Sequence, residues 1–203
     1  MKRTLPHCYF YSWQVPSDIS LKKQELRKRF RFERSQRSLG GDWLHLLNAT
    51  ELNAAKTIAS YLSYGDEPET TALNDEIRLL GKKLVIPKTD SVGVITWIEW
   101  NQETRFERDN KRPHFTQPIG SRFDGDVDLV ITPALRVDRQ GVRLGQGGGS
   151  YDRALQHQQC VGAWKVALLH DEEISSEALP CEDHDVKMDA VALPEILVRF
   201  KRV

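Results

Sequence analysis

Residues 143–153 read Arg-Leu-Gly-Gln-Gly-Gly-Gly-Ser-Tyr-Asp-Arg and place four of the chain's thirteen glycines within five positions. An apolar run, residues 127–132, stands just upstream, and a helix is predicted from Tyr151 to about Gln159. Strand, glycine loop and helix start, in that order, constrain the fold more than any other stretch. Glycine adopts positive φ without a Cβ clash and lets a backbone approach a ligand closely. Successive N–H groups can then converge on one anion at a helix N-terminus. A Walker A loop is excluded, because no Gly-Lys-Ser/Thr follows. Gly145, Gly147 and Gly149 alternate without forming the GxGxxG dinucleotide fingerprint. A surface turn with no ligand is the plain alternative. The position between a buried strand and a helix favours the anion site.

The remaining patterns alternate between strand and helix. A helix is predicted over 19–37 after the Ser17-Asp18 cap, with Leu21, Leu26, Phe30 and the Arg34 stem as its stripe. Residues 42–56 read as helix, in pieces around Asn48; 57–63 as strand; 64–68 as a turn; 69–81 as helix. Strands are expected over 83–87, 92–100, 127–133, 163–169 and 190–193, with a long polar connection, expected to be a mobile edge, over 101–125. This alternation predicts an α/β fold, a three-layer α/β/α sandwich with a mainly parallel, mixed central sheet of Rossmann-like type. Residues 17–203 are expected to form a single domain, and 1–16 an N-terminal extension. In such sheets, ligands sit beyond the carboxyl ends of the strands. The turns after Ser63, Pro87, Pro133 and Leu169 would face that edge.

Composition narrows the function classes. The chain has 203 residues, with Lys+Arg and Asp+Glu both at 29, so no net basic field argues for nucleic acid or an anionic membrane surface. No apolar run reaches the ~18 residues of a membrane span, and the interrupted N-terminus has no signal-peptide core. Cys8, Cys160 and Cys181 form no CxxC pair. They read as free thiols in a reducing cytoplasm.

Several side chains carry candidate chemistry. Lys23 and Arg27 are four apart on one helix face and would clamp a polyphosphate. Asp152, beside the glycine loop, admits two readings: a helix N-terminal carboxylate or a hard oxygen ligand for a divalent cation. Glu182, Asp183, His184 and Asp185 form an acidic cluster that reads first as a solvated loop; Asp185 or Asp189 gains meaning only if the fold brings it to Asp152. Glu67, after a predicted strand, would accept two hydrogen bonds from an amidine-like heterocycle edge. The histidines show no metal-ligand spacing, and His157 and His170 read as structural.

Arg143-Leu144-Gly145-x-Gly147-x-Gly149-x-Tyr151-Asp152 resembles the signature of the 5-formyltetrahydrofolate cyclo-ligase family. Residues 61–67, Lys23-x-x-Leu26-Arg27, Ile86-Pro87-Lys88, Pro133 with Asp138 and Gly141, and residues 185–189 are similar to further family segments in the same order. The resemblance covers residues 19 to 191. It implies ATP-dependent conversion of 5-formyltetrahydrofolate to 5,10-methenyltetrahydrofolate, with release of ADP and phosphate and with Mg²⁺. The formyl oxygen would attack the γ-phosphate, and N10 would then close the ring. The resemblance assigns ATP to Lys23, Arg27, Arg143, Leu144, Gly145, Gln146, Gly147, Gly148, Gly149, Ser150 and Tyr151. It assigns the folate to Leu62, Glu67, Gln146, Gly147, Gly148, Gly149 and Ser150. Asp152 and Asp185 would hold Mg²⁺, with Asp189 in reserve. It further implies a cytoplasmic monomer acting on small molecules, with no nucleic-acid or membrane partner. Gln146 stands where many members have a basic residue, and Ser150 where an aromatic is usual. The cyclo-ligase is the first reading, and these departures are what would favour the alternative, a non-catalytic nucleotide- or folate-binding protein of the same fold.

Overall fold

The computed structural model describes residues 17–37, 40–109 and 116–201, so the predicted N-terminal extension lies outside the described residues. In chain order, helix α1 (Asp18–Ser35) is followed by a 3-10 turn (Leu44–Asn48) and the short helix α2 (Thr50–Ala54). Then come β1 (Thr57–Ala59), α3 (Thr71–Leu79), β2 (Lys83–Thr89), β3 (Ile95–Glu99), β4 (Arg105–Arg108) and β5 (Thr116–Ile119). The second half adds β6 (Leu129–Pro133), β7 (Arg136–Asp138), β8 (Arg143–Leu144), α4 (Ser150–Gln156) and α5 (Gln158–Val161). It ends with β9 (Trp164–Leu168), β10 (Ile174–Ser175), β11 (Ala190–Ala192) and β12 (Leu197–Arg199).

The main sheet runs β12-β11-β9-β6-β1-β2-β3. Its five inner strands are parallel, and the edge strands β3 and β12 are antiparallel. The two-residue side-chain period sorts the apolar residues onto two faces. Ile58, Leu84, Leu129, Ile131, Val166 and Leu168 join the core that also holds Leu46, Leu52, Leu73 and Ile77 from the 3-10 turn, α2 and α3. Ala59, Val85, Val130, Ala167 and Val191 point the other way, to Ala154, Leu155 and Cys160 of α4 and α5. Two cores on opposite faces of one sheet make the expected three layers. From β1 the chain moves to β2 on one side; β6 lies on the other side of β1, and β9 and β11 continue outward. The strand order therefore reverses between β1 and β6, which opens a crevice at their carboxyl ends.

Several local expectations change. The strand expected over 57–63 leaves the ladder after Ala59, because the Tyr61 carbonyl accepts from Thr70 Oγ1 (2.7 Å) and Asn74 Nδ2 (2.9 Å) at the start of α3. The helix expected over 151–159 breaks at His157, whose ψ of 147° is extended and whose Nδ1 accepts from Gln159 N to restart a turn. The helix expected over 42–56 is a 3-10 turn plus a short helix, entered through Trp43 in the left-handed region (φ 52°). The polar stretch over 101–125 contains the β4–β5 hairpin, paired from Arg105–Ile119 to Arg108–Thr116; residues 110–115 lie outside the described ones.

The β7–β8 hairpin and β10 were not legible as strands. Asp138 organises them: its buried carboxylate accepts from the backbone N–H groups of Gln140 (2.8 Å), Val142 (3.0 Å) and Leu179 (2.9 Å). Gly141 sits at φ 81°, where a Cβ would come within 2.5 Å of the Met188 carbonyl oxygen. Helix α1 packs on this hairpin through Phe30, which meets Leu135, Val142, Leu144 and Leu179. Its expected stripe holds at Phe30 and Arg34, both buried, and is corrected near the start of the helix, where Leu21 is 47% exposed and Lys23 is buried. A helix that buries a lysine and an arginine must supply them with carboxylates.

Candidate functional site

A cavity of about 400 Å³ opens over the carboxyl ends of β1, β2 and β6. Lys23 and Arg27 of α1 form one wall, and Tyr61, Leu62 and Glu67 after β1 form another. The glycine loop, Tyr151, Asp152 and Asp185 close it. Every residue that the resemblance assigned to a site lines this cavity, except the reserve Asp189. Asp189 instead accepts the Lys165 N–H at 2.8 Å between β9 and β11.

The glycine loop is held by arginines. Arg27 Nε donates to the Gly145 carbonyl (3.0 Å), and Arg31 Nη2 to the Gln146 carbonyl (2.9 Å). Arg31 Nε also donates to Gln146 Oε1 (2.8 Å). Arg153 Nη2 donates to the carbonyls of Gly148 (3.1 Å) and Gly93 (2.9 Å). None of the N–H groups of residues 145–149 has a backbone partner among the described residues. Gly147 at φ 106° and Gly149 at φ 63° provide the turns. A run of N–H groups without backbone partners is what an anion nest requires. Helix α4 has only seven residues, so the nest and the arginines, rather than a long macrodipole, set the local field.

Sequence reasoning missed Arg31 and Arg153 as parts of this site. Arg31 had a signal: it continues the four-residue spacing of Lys23 and Arg27 along one helix face. Arg153 had none, since it ties Gly148 to Gly93 of the β2–β3 turn, a partner distant in sequence.

The carboxylate wall forms as Lys23 Nζ meets Asp185 Oδ2 (2.5 Å) and Glu182 Oε2 (2.8 Å). Burial pulls the Lys23 pKa down, but the hydrogen bonds to Asp185 and Glu182 outweigh it and the net shift is upward. Burial pushes Asp185 up, while Lys23 and the Glu182 N–H hold it below the usual carboxylate range. Glu182 is thus part of the cavity wall, not only of a solvated loop. Asp152 Oδ2 accepts from Arg143 Nη2 (2.9 Å), and Oδ1 from the Val186 N–H (3.3 Å). This last contact brings Asp152 to the Asp185 segment, the condition under which Asp185 gains meaning. Asp185 Oδ1 takes no hydrogen bond among the described residues, and His184 Nε2 lies 3.9 Å from it. An open carboxylate oxygen beside a second carboxylate fits a hard divalent cation that keeps most of its waters.

At the opposite end, Glu67 is half-buried and accepts the Tyr64 N–H at 3.2 Å. Burial pushes its pKa up to about 7, against the lowering influence of that hydrogen bond and of Arg34. The Tyr151 hydroxyl is buried without a hydrogen-bond partner among the described residues, and burial raises its pKa further. A buried orphan hydroxyl on a cavity wall is a ready partner for a polar ligand.

The model of the 5-formyltetrahydrofolate cyclo-ligase family matches residues 19–194. The chain belongs to this family. It is 32% identical over 151 residues to the 5-formyltetrahydrofolate cyclo-ligase of Mycolicibacterium smegmatis, covering 70% of this chain and 75% of the relative. It is 27% identical over 191 residues to the Mus musculus enzyme of the same name, covering 83% and 90%. The cyclo-ligase fold is also seen in the NMR structure of Aquifex aeolicus 5,10-methenyltetrahydrofolate synthetase: TM-score 0.73, 26% identity, 89% of this chain and 94% of that one. These relatives are named as enzymes, and the non-catalytic reading is not favoured. No helix among the described residues of this cyclo-ligase family member is long and apolar enough to cross a membrane.

Proposed function

We propose that the chain converts 5-formyltetrahydrofolate to 5,10-methenyltetrahydrofolate, using ATP and releasing ADP and phosphate. The observation that carries this reading is the convergence of Lys23, Arg27, the glycine nest and the Glu67 turn on one cavity at the point where the strand order reverses. Lys23 and Arg27 neutralise the ATP phosphates, and the N–H groups of residues 145–149 cradle them. Arg143, buried beneath the loop, adds positive charge where phosphate charge shifts. Leu62 packs on the pterin, and Glu67 accepts from its amidine-like edge. Residues 146–150 lie between the two and bring the formyl oxygen in line with the γ-phosphate.

The formyl oxygen then takes the phosphoryl group and ADP leaves. N10 attacks the activated formyl carbon, the carbon–oxygen bond to phosphate breaks, and the N10 proton departs. The first step joins two bound molecules and the second closes a ring within one, so positioning and charge neutralisation replace a protein nucleophile. Asp152 and Asp185 fit Mg²⁺, which when bound supplies countercharge to the phosphates.

The test is direct. Protein, 5-formyltetrahydrofolate and Mg²⁺ATP should give methenyltetrahydrofolate absorbance matched by ADP release. Binding of both ligands without product at high protein concentration would reject turnover. A second expectation follows from Glu67. Only its ionised form accepts two hydrogen bonds, and a group with a pKa of about 7 changes its ionised fraction about tenfold between pH 6 and 8. The KM for 5-formyltetrahydrofolate should therefore fall as pH rises across that window. Glu67→Gln should flatten the profile at a raised KM. An unchanged profile in that variant removes Glu67 from the folate end.

A further inference from the structure

We infer that His170 is a positioning residue for the folate end of the cavity: it holds the Asp66 carbonyl and so sets the turn that carries Glu67. The inference rests on the function proposed above and concerns a residue that the sequence marked only as structural. His170 follows β9 and is 5% exposed. Its Nε2 lies 3.0 Å from the Asp66 carbonyl oxygen, 104 residues away in sequence. A carbonyl only accepts, so Nε2 carries the proton and donates. Burial lowers the His170 pKa, in keeping with a neutral ring. The ring stands edge-on to Trp43 at 5.5 Å, which restricts its rotation.

What fixes His170 is a buried charge cluster. Its backbone N–H donates to Glu173 Oε2 (3.0 Å). Glu173 is fully buried and takes a two-pronged grip from Arg34, Nε to Oε1 (2.8 Å) and Nη2 to Oε2 (2.6 Å). Arg34 Nη2 also donates to the Ala134 carbonyl (2.7 Å), just past the cavity-lining Pro133. Helix α1 carries Arg34 in its last turn and Lys23 and Arg27 nearer its start. One hydrogen-bonded path therefore joins the helix of the proposed nucleotide wall to the proposed folate turn.

Gly65 sits in this turn at φ 59°, with nothing within 4 Å of an added Cβ, so no side-chain packing fixes the turn at that position. Tyr61 anchors the far side of the turn by donating to the Pro68 carbonyl (3.0 Å), but it belongs to the same segment. His170 reaches the turn from across the strand reversal.

The experiment is steady-state kinetics of the full chain with both substrates varied, alongside thermal unfolding. His170→Ala should raise the KM for 5-formyltetrahydrofolate about tenfold, the worth of one lost hydrogen bond. The KM for ATP should stay within about twofold, a change of only a few tenths of a kcal/mol. His170→Gln, whose amide N–H reaches the place of Nε2, should recover most of the loss. If alanine does not fold, His170→Asn against His170→Gln carries the same contrast, because the asparagine amide stops short of Asp66. Unchanged kinetics, equal rises in both KM values, or no advantage of Gln over Asn would overturn the inference. Absence of turnover in the wild type would instead remove the proposed function.

Discussion

Glu173→Ala is expected to remove about 3–5 kcal/mol of folding stability, the usual cost of leaving buried charges unpaired. Glu173 is 0% exposed, and two guanidinium groups converge on it. Arg34 binds both its oxygens, and Arg136 Nη1 approaches Oε1 at 3.2 Å. Both arginines are themselves buried, Arg34 at 2% and Arg136 at 4% exposure. Burial already pulls the Arg136 pKa down, with Glu173 the main opposing influence. Alanine would leave both cations facing a void. Glu33, at 2.6 Å from Arg136 Nη2, could compensate only one of them. The exposed Arg122–Asp124 pair should be nearly silent on disruption, because water solvates both partners once they separate. Urea titration of the two variants makes the comparison. A loss under about 1 kcal/mol for Glu173→Ala would mean that the cluster rearranges and is not a fixed element.

Gly147→Ala is expected to lower kcat/KM for ATP about 100-fold with little change in thermal midpoint, comparable to losing one aimed donor of an anion hole. At φ 106° an L-residue is strained by ~1–3 kcal/mol, and the loop can relieve this by rotating its peptides. Rotation would take N–H groups out of the cavity. It would also disturb the Arg27 grip, since the new Cβ would lie 3.3 Å from Arg27 Nε. The loop is at the surface and contributes no core residue, so global stability should barely respond. Gly162→Ala is the control: its φ is −85° and nothing lies within 4 Å of the added methyl. Wild-type ATP kinetics in Gly147→Ala would show that the N–H nest does not bind phosphate.

Much of the site was legible because its residues come in local patterns. The glycine loop, the Lys23–Arg27 spacing and Glu67 in its turn each sit on a short segment whose chemistry shows in the residue types. The central strands were legible for a related reason. A strand buried on both faces must be apolar throughout, as Leu129, Val130 and Ile131 are. The edge strand β12 and the accessory strands were not. Residues 136–138 and 143–144 are polar or short, and they become strands only because Asp138 closes the hairpin and β10 pairs with it. The early end of β1 was likewise hidden, since it depends on Thr70 and Asn74 capturing the Tyr61 carbonyl.

The sequence by itself determined the layered α/β fold, the glycine loop between strand and helix, and the cations and carboxylates available to it. Periodicity and glycine content are local properties and need no partner. Only the tertiary structure decided which carboxylates those cations meet. Lys23 finds Asp185 and Glu182 some 160 positions away, Arg34 finds Glu173, and Asp152 is taken by Arg143. It also decided that Asp185, not Asp189, faces the cavity, and that His170 reaches the Glu67 turn. Ion pairs and hydrogen bonds act over a few ångströms, and the strand reversal between β1 and β6 is what brings these distant residues that close.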